Sequence, residues 1–411
     1  DERHRSGRHP LVAACGVYKT AAHLRDPRTG GIAALLFVIN PYVALLPLTG
    51  MEASLAMACL AWFLAFWVRL ERGSRSASVV IPACLLAALC VAARTDTWIV
   101  MMAACGALLV GSGRRAERVA ISVAIGIAAT LALLSWMALC HHWSGDWMQG
   151  SARMKSWFRV IETAGLSPSG RFFFGLELAV DTLLRGLLKV PALVLLLPYV
   201  LLRKRHALRG SSSALLWVGA PLALAGAYGL TLPHVQTWYF APLLVLWTIA
   251  AGLLASNLPA DRDRTAGMIG LLLIALFAGV FTSKLLRGRT AGQRDMLRAA
   301  REVAAMTPTD ARIGAWNAGI YGYFSGRQVV NLDGLINNEI YHAVENETLN
   351  WPYWNQRQIT HLLDYERWLT GHAPTFEGKR LVEIHRFPAV HAREDIVLMA
   401  IEPVELRNGG L

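Results

Sequence analysis

The chain has 411 residues, of which 55% are hydrophobic and 17% charged, and its mean hydropathy is +0.39. This composition exceeds what a soluble globular core requires, and it indicates a polytopic membrane protein. The formal net charge of +12 divides into +14 up to residue 288 and −2 after it. The excess therefore belongs to the apolar region, which argues against a nucleic-acid partner.

Apolar segments that are long enough to cross a bilayer fill most of residues 30–286. Asn40, Pro41 and Pro47 interrupt the first of them, so the ends of the spans are less certain than their existence. We predict about nine transmembrane helices, at 30–48, 51–68, 78–93, 97–111, 119–140, 187–202, 213–232, 237–255 and 266–286.

The connectors between these spans alternate between arginine-rich ones and aromatic or acid-bearing ones. Arginine-rich connectors remain on the cytoplasmic side of a membrane. The opposite, extracytoplasmic face is then expected to carry Glu52, Arg94, Asp96, His234, the outer loop 141–186 and the C-terminal region.

The outer loop 141–186 is too polar to span a membrane, yet it is rich in Trp and Phe, as expected at a membrane interface. From Arg171 to Lys189, polar residues recur every fourth position opposite an apolar face, which predicts an amphipathic helix. Two interpretations are open: a helix that links the loop to the next span, and a wall for a lipid-borne substrate.

Residues 288–411 have an ordinary globular composition, and they predict an extracytoplasmic α/β domain that follows the membrane domain 1–287. A helix is expected at 291–305, a strand at 312–316, a helix near 318–325 and a strand at 328–331. Helices are expected between 337 and 370, and strands near 381–386 and 396–402.

Three charged residues occupy predicted outer turns. Glu52 begins a span, where a carboxylate near hydrocarbon needs a partner or a function; alternatively, it is an acid favoured by the helix dipole. Arg94 and Asp96 lie in a very short turn, where they form either part of a binding site or a local ion pair.

Other candidates are weaker. His234 lies beside Trp238 and Tyr239 and is either a phosphate donor or part of an aromatic belt. Arg153 is a cation in an outer loop, which favours binding of an anion. The adjacent His141 and His142 diverge on a helix and lack a third ligand, so no metal site is predicted and no cofactor is identified.

The pattern resembles the GT-C superfamily of polytopic glycosyltransferases, in particular its bacterial members that use polyprenyl-phosphate sugars. The resemblance rests on Thr49-Gly50-Met51-Glu52, on Ala93-Arg94-Thr95-Asp96 and on the stretch Ile313 to Asn337. Thr95 stands where the family often has Pro. The family's catalytic aspartate has no counterpart in these residues, and the resemblance places that general base in a loop preceding Asp1.

The resemblance implies an inverting transfer of sugar from a polyprenyl-phosphate donor to a glycan or lipid acceptor at the bacterial cytoplasmic membrane. Arg94, His234 and Arg153 are then the expected phosphate donors. Glu52 and Asp96 are expected near the substrate, and Asp333 and Asn337 near the acceptor, although Asp333-Gly334 also suits a plain turn. A divalent metal is compatible with such chemistry but has no support in the residues.

Two other classes are compatible with the sequence. A transporter also uses broken spans and charged edges, but it predicts repeated halves, and none is found. A non-catalytic envelope assembly protein whose outer domain binds a polymer is the third interpretation.

Overall fold

A computed structural model describes residues 8–46, 52–111, 113–190, 192–194, 215–256, 276, 279–280, 283, 291–345, 351–371 and 379–403. Within these ranges the chain divides into two compact units. The first comprises residues 1–142 and 159–282, and the second comprises residues 143–158 and 283–411. Segment 143–158 therefore belongs with the C-terminal residues, although the sequence predicted it as part of a loop of the membrane domain.

The first unit is helical. Its helices are α1 Arg8–Leu24, α2 Pro27–Val38, α3 Pro41–Leu45, α4 Ala53–Glu71, α5 Ala77–Ala93, α6 Thr97–Val110, α7 Arg115–Ser144, α8 Gly150–Glu162 (which continues from segment 143–158), α9 Pro168–Leu188, α10 Ala220–Thr231 and α11 Ala241–Ala255. A short π-helical turn, Leu215–Gly219, precedes α10, and a 3-10 turn, Thr237–Phe240, precedes α11.

Among the described residues, three helices are long and apolar enough to cross a membrane: Ala53–Glu71, Arg115–Ser144 and Thr237–Ala255. Four shorter apolar helices accompany them. Most of the spans expected at 187–202 and 266–286 lies outside the described residues, so the number nine stays a prediction. The interruption expected at Asn40 and Pro41 is confirmed, because α2 ends at Val38 and α3 begins at Pro41.

Small residues bring the helices of the first unit close together. A Cβ atom on Gly16 of α1 would lie 2.8 Å from the Ala61 backbone of α4, and a Cβ on Gly229 of α10 would collide with the carbonyl oxygen of Gly175 of α9. The hydroxyl of Thr20 also donates to Ala61 O at 3.0 Å. Such contacts replace the hydrophobic effect as the force between helices where the surroundings are apolar.

The connectors of this unit separate into two sets that contact one another. In the arginine-rich set, Arg25 donates to Ser256 at 2.8 Å, and Arg75 pairs with Glu117 at 3.4 Å. In the other set, Arg94 pairs with Glu52 at 3.0 Å, and Tyr228 donates to Asp96 at 2.7 Å. The alternation of the connectors along the sequence thus corresponds to two distinct groups in space.

The second unit contains a five-stranded sheet. Its elements, besides the segment 143–158, are α12 Ala291–Met306, β1 Arg312–Ala315, α13 Ala318–Phe324, β2 Gln328–Asn331, α14 Asn338–Glu345, α15 Trp351–Gln356, β3 His361–Tyr365, α16 Glu366–Gly371, β4 Lys379–Phe387 and β5 Ile396–Pro403. The strand order is β2-β1-β3-β5-β4. Strand β1 pairs in parallel with β2 and β3, whereas β5 is antiparallel to β3 and β4.

The sequence prediction of an α/β domain was correct except at β3. Residues 337–370 were expected to be helical, but His361–Tyr365 forms the middle strand of the sheet. Its five residues are a short apolar run, and periodicity cannot distinguish such a run from a buried helical turn. Leu362 and Leu363 are fully buried in two different cores, as the alternation of side chains along a strand requires.

Candidate functional site

Three residues predicted from the sequence meet at one ion-paired cluster of the first unit. Arg94, at the end of α5, binds Asp96 through Nε to Oδ1 at 3.1 Å and through Nη2 to Oδ2 at 2.5 Å. Its remaining nitrogen, Nη1, donates to Glu52 Oε1 at 3.0 Å. The side chain of Arg94 is 6% exposed, that of Asp96 16% and that of Glu52 42%. We call these three residues the Arg94 cluster.

Two tyrosines that the sequence did not single out support the Arg94 cluster. The hydroxyl of Tyr228, a buried residue of α10, donates to Asp96 Oδ2 at 2.7 Å. The guanidinium carbon of Arg94 lies 5.3 Å from the centre of the Tyr239 ring, and that ring meets Tyr228 edge-on at 5.1 Å. A tyrosine inside an apolar span was the available signal, because a buried hydroxyl needs a hydrogen-bond partner.

The charges of the Arg94 cluster sum to one negative unit, since one guanidinium faces two carboxylates. All three side-chain nitrogens of Arg94 are occupied by Glu52 and Asp96. Arg94 thus holds Glu52 in place, and Glu52 offers the exposed carboxylate of the cluster. The expected contact between Arg94 and a phosphate stays a prediction.

His234 lies apart from these contacts. It is exposed in the turn after α10, and no described side chain pairs with it. The same turn is fixed by Arg159, which is buried and donates to Leu232 O at 3.1 Å. The Arg159 guanidinium also lies 4.7 Å from the Phe174 ring, so this loop cation has a structural partner on α9.

Arg153 belongs to the second unit, where segment 143–158 contacts the residues that follow β2. It forms an ion pair with Asp146, which also lies 3.3 Å from His342. The Arg153 guanidinium stacks 3.8 Å from the centre of the Tyr341 ring. The structure therefore does not bring Arg153 into the Arg94 cluster.

Asp333 and Asn337 make local contacts in the second unit. Asp333 accepts the amide of Leu335 at 2.8 Å, which is an Asx turn, and Asn337 donates to Asn331 O at 3.0 Å and to Tyr353 Oη at 3.3 Å. Burial raises the pKa of Asp333, and the Leu335 amide, the Asn331 side chain and the charge of Lys155 offset part of that effect. Both residues order the loop after β2.

A fully buried acid, Asp364, explains part of the family-like stretch from Ile313 to Asn337. It accepts the amide of Asn317 at 2.7 Å, the side chain of Asn317 at 2.7 Å and the amide of Tyr365 at 2.8 Å. Burial raises the pKa of Asp364, and these donors counteract the rise. Asn317 therefore ties the end of β1 to the end of β3.

No group of three or more His, Cys, Asp or Glu with metal-binding geometry occurs within the described ranges. The six cysteines are free, and four of them are buried. The prediction that no metal site is present stays a prediction for the chain as a whole.

Comparison with known sequences gives one partial match. Residues 285–399 match the sequence model of a family described as a domain of unknown function, DUF8728. No curated protein sequence matches this chain.

Comparison with solved structures gives matches over nearly the whole chain. The crystal structure of ArnT from Cupriavidus metallidurans bound to undecaprenyl phosphate has a TM-score of 0.57 and 13% identity, and the match covers 96% of this chain and 83% of that one. The apo structure of the same ArnT has a TM-score of 0.57 and 11% identity, with 96% and 82% covered. At these identities the comparison establishes the fold.

ArnT is a GT-C glycosyltransferase, and this chain shares its fold from the first helices to the C-terminal sheet. The resemblance to the GT-C superfamily that was recognised in three short sequence stretches is therefore confirmed at the level of the fold.

Proposed function

We propose that this protein is a membrane glycosyltransferase that takes sugar from a polyprenyl-phosphate donor and transfers it to an extracytoplasmic acceptor. The observation that carries the proposal is the Arg94 cluster, set at one end of a helical unit whose fold is shared with ArnT. One of those ArnT structures holds undecaprenyl phosphate, a lipid of the class that the donor requires.

The reaction is a displacement with inversion. The acceptor oxygen forms a bond to the anomeric carbon, the bond from that carbon to the phosphate oxygen breaks, and a carboxylate receives the acceptor proton. Polyprenyl phosphate leaves with the electron pair. Negative charge grows on the leaving oxygen, so a cation placed beside it stabilises the transition state more than the ground state.

We assign Glu52 the role of binding a sugar hydroxyl. Its carboxylate is the accessible one in the cluster, and Arg94 fixes one of its oxygens. The chain Tyr228, Asp96, Arg94, Glu52 is continuous in hydrogen bonds, so the orientation of Glu52 depends on residues deep between the helices. Such positioning is a large part of the catalytic effect in transferases that bind both substrates.

Transfer of radiolabel in native membranes tests the proposal. Membranes that contain the full-length protein are given a panel of polyprenyl-phosphate sugars, and the label that passes into the envelope fraction is measured. We expect one donor to be consumed, and Glu52→Gln to lower its turnover about 100-fold, because the neutral amide loses the charge-assisted hydrogen bond. The matched control is Glu177→Gln, an exposed acid of α9. Equal turnover by Glu52→Gln and wild type would remove Glu52 from the site.

A further inference from the structure

Lys189 is a cation that faces the interior of the helical unit. It follows Glu177, Asp181 and Arg185 at four-residue spacing, which the sequence alone places on one polar face. Four residues turn an α-helix by about 400°, so each step of this series rotates about 40° further around the axis. After three steps the side chain has left the polar face and approaches the buried stripe that contains Gly186.

The structure shows this change of environment. Arg185 is 57% exposed and pairs with Asp181 one turn earlier. The ammonium group of Lys189, in contrast, lies 4.6 Å from the centre of the Tyr42 ring and 4.4 Å from the centre of the Phe240 ring. Two aromatic faces therefore hold this charge at the end of α9.

Three separate parts of the chain converge on this position. Asn40, buried in the break between α2 and α3, donates to the Lys189 carbonyl at 2.8 Å and accepts the Tyr42 amide at 2.9 Å. Phe240 belongs to the 3-10 turn before α11, and the preceding residue of that turn, Tyr239, lies under Arg94. Lys189 and the Arg94 cluster thus share a wall.

The other described arginines near this end of the first unit are already committed to protein acceptors. Arg94 and Arg185 pair with carboxylates, while Arg159 and Arg171 donate to backbone carbonyls. Cation–π contact leaves an ammonium group positively charged and able to donate hydrogen bonds to an anion. An ionisable residue that faces inward at the edge of a membrane indicates a substrate path.

We propose that Lys189 binds the phosphate of the lipid donor, beside the sugar site that contains Glu52. The proposal rests on the proposed function, and it assigns to Lys189 the role that the sequence gave to Arg94, His234 and Arg153. The alternatives are a lysine that interacts only with the carboxyl end of α9, and one that binds any phospholipid headgroup.

Binding of polyprenyl phosphate and of the uncharged polyprenol separates these possibilities. Both lipids are titrated against the full-length protein in nanodiscs of phosphatidylcholine. For wild type we expect tighter binding of the phosphate than of the alcohol. Lys189→Met should raise the Kd for the phosphate about 10-fold to 100-fold, which corresponds to loss of one charge-assisted contact, and leave the Kd for polyprenol unchanged. Arg185→Met, one turn away on the same helix, should change neither value.

Each other outcome has a definite meaning. If wild type does not prefer the phosphate, the proposed function fails. If wild type prefers it and Lys189→Met binds it equally well, the assignment of Lys189 fails while the proposed function stands. If phosphatidylglycerol displaces polyprenyl phosphate at equal concentration, Lys189 recognises bulk lipid and the assignment is overturned. Should Lys189→Met not fold, Lys189→Gln and Lys189→Arg provide the same comparison, with Arg expected to retain most of the binding.

Discussion

The Arg94 cluster and the loop after β2 were both chosen from the sequence for their polar residues, but they use those residues differently. In the first unit, Arg94 reaches Glu52 across 42 positions, and Tyr228 reaches Asp96 across 132. In the second unit, Asp333 binds the amide of Leu335, only two positions away. Charged side chains that pair across distant segments cost more to bury than local turns, so their retention points to a function.

The largest expected effect comes from removing the shared cation. Arg94→Met leaves the carboxylates of Glu52 and Asp96 facing one another, and Asp96 is largely buried. Loss of one partner of a buried pair costs about 3–5 kcal/mol, so thermal unfolding of the purified protein should begin at a clearly lower temperature. The double variant Arg94→Met with Asp96→Asn should recover part of this loss. Simple additivity of the two substitutions would show that the groups do not interact.

A smaller effect is expected where the first unit positions Tyr228. Its neighbour Gly229 has no room for a Cβ atom, because the Gly175 carbonyl occupies that space. Gly229→Ala should separate α9 from α10 and cost about 1–3 kcal/mol, measured as a lower Tm. Gly226→Ala on the same helix is the control, since nothing lies within 4 Å of its added Cβ. Equal Tm values for the two variants would contradict the close contact of these helices.

The second unit offers a case of an acid held by backbone amides. Asp295 of α12 accepts the amides of His391 at 2.9 Å and Ala392 at 2.8 Å. Burial raises the pKa of Asp295, but these amides and that of Val390 lower it more, so it lies below its ordinary value. The stabilisation is then complete above the unfolded pKa of about 3.9 and is lost as the pH falls through the lower folded value.

Hydrogen exchange in the full-length protein measures this contribution. Asp295→Asn should expose the amides of His391 and Ala392 about 10-fold more often at pH 7, as expected for loss of hydrogen bonds to a charged group. The difference should shrink as the pH falls below about 4, where the wild-type carboxylate also becomes protonated. Asp310→Asn, an exposed acid, should leave both amides unchanged. A difference that does not depend on pH would contradict the role of the charge.

The sequence predicted the apolar helices and most of the C-terminal sheet, because hydropathy and periodicity are local properties. It also placed Glu52, Arg94 and Asp96 at short turns of one face, and the structure joins them. Tyr228 was missed because its partner, Asp96, is more than a hundred residues away. Lys189 was missed because four-residue spacing resembles a polar stripe, whereas its small rotation at each step becomes visible only on a folded helix.

Photo-crosslinking tests the central claim most directly, namely that the phosphate end of a polyprenyl-phosphate lipid lies beside the Arg94 cluster in the first unit. A polyprenyl phosphate with a photoreactive group next to the phosphate is bound to the full-length protein, irradiated, and mapped by mass spectrometry. We expect adducts near Glu52, Arg94, Lys189 and the turn 233–240, and their loss when unmodified polyprenyl phosphate competes. Adducts confined to the arginine-rich connectors or to residues 291–403 would contradict the account.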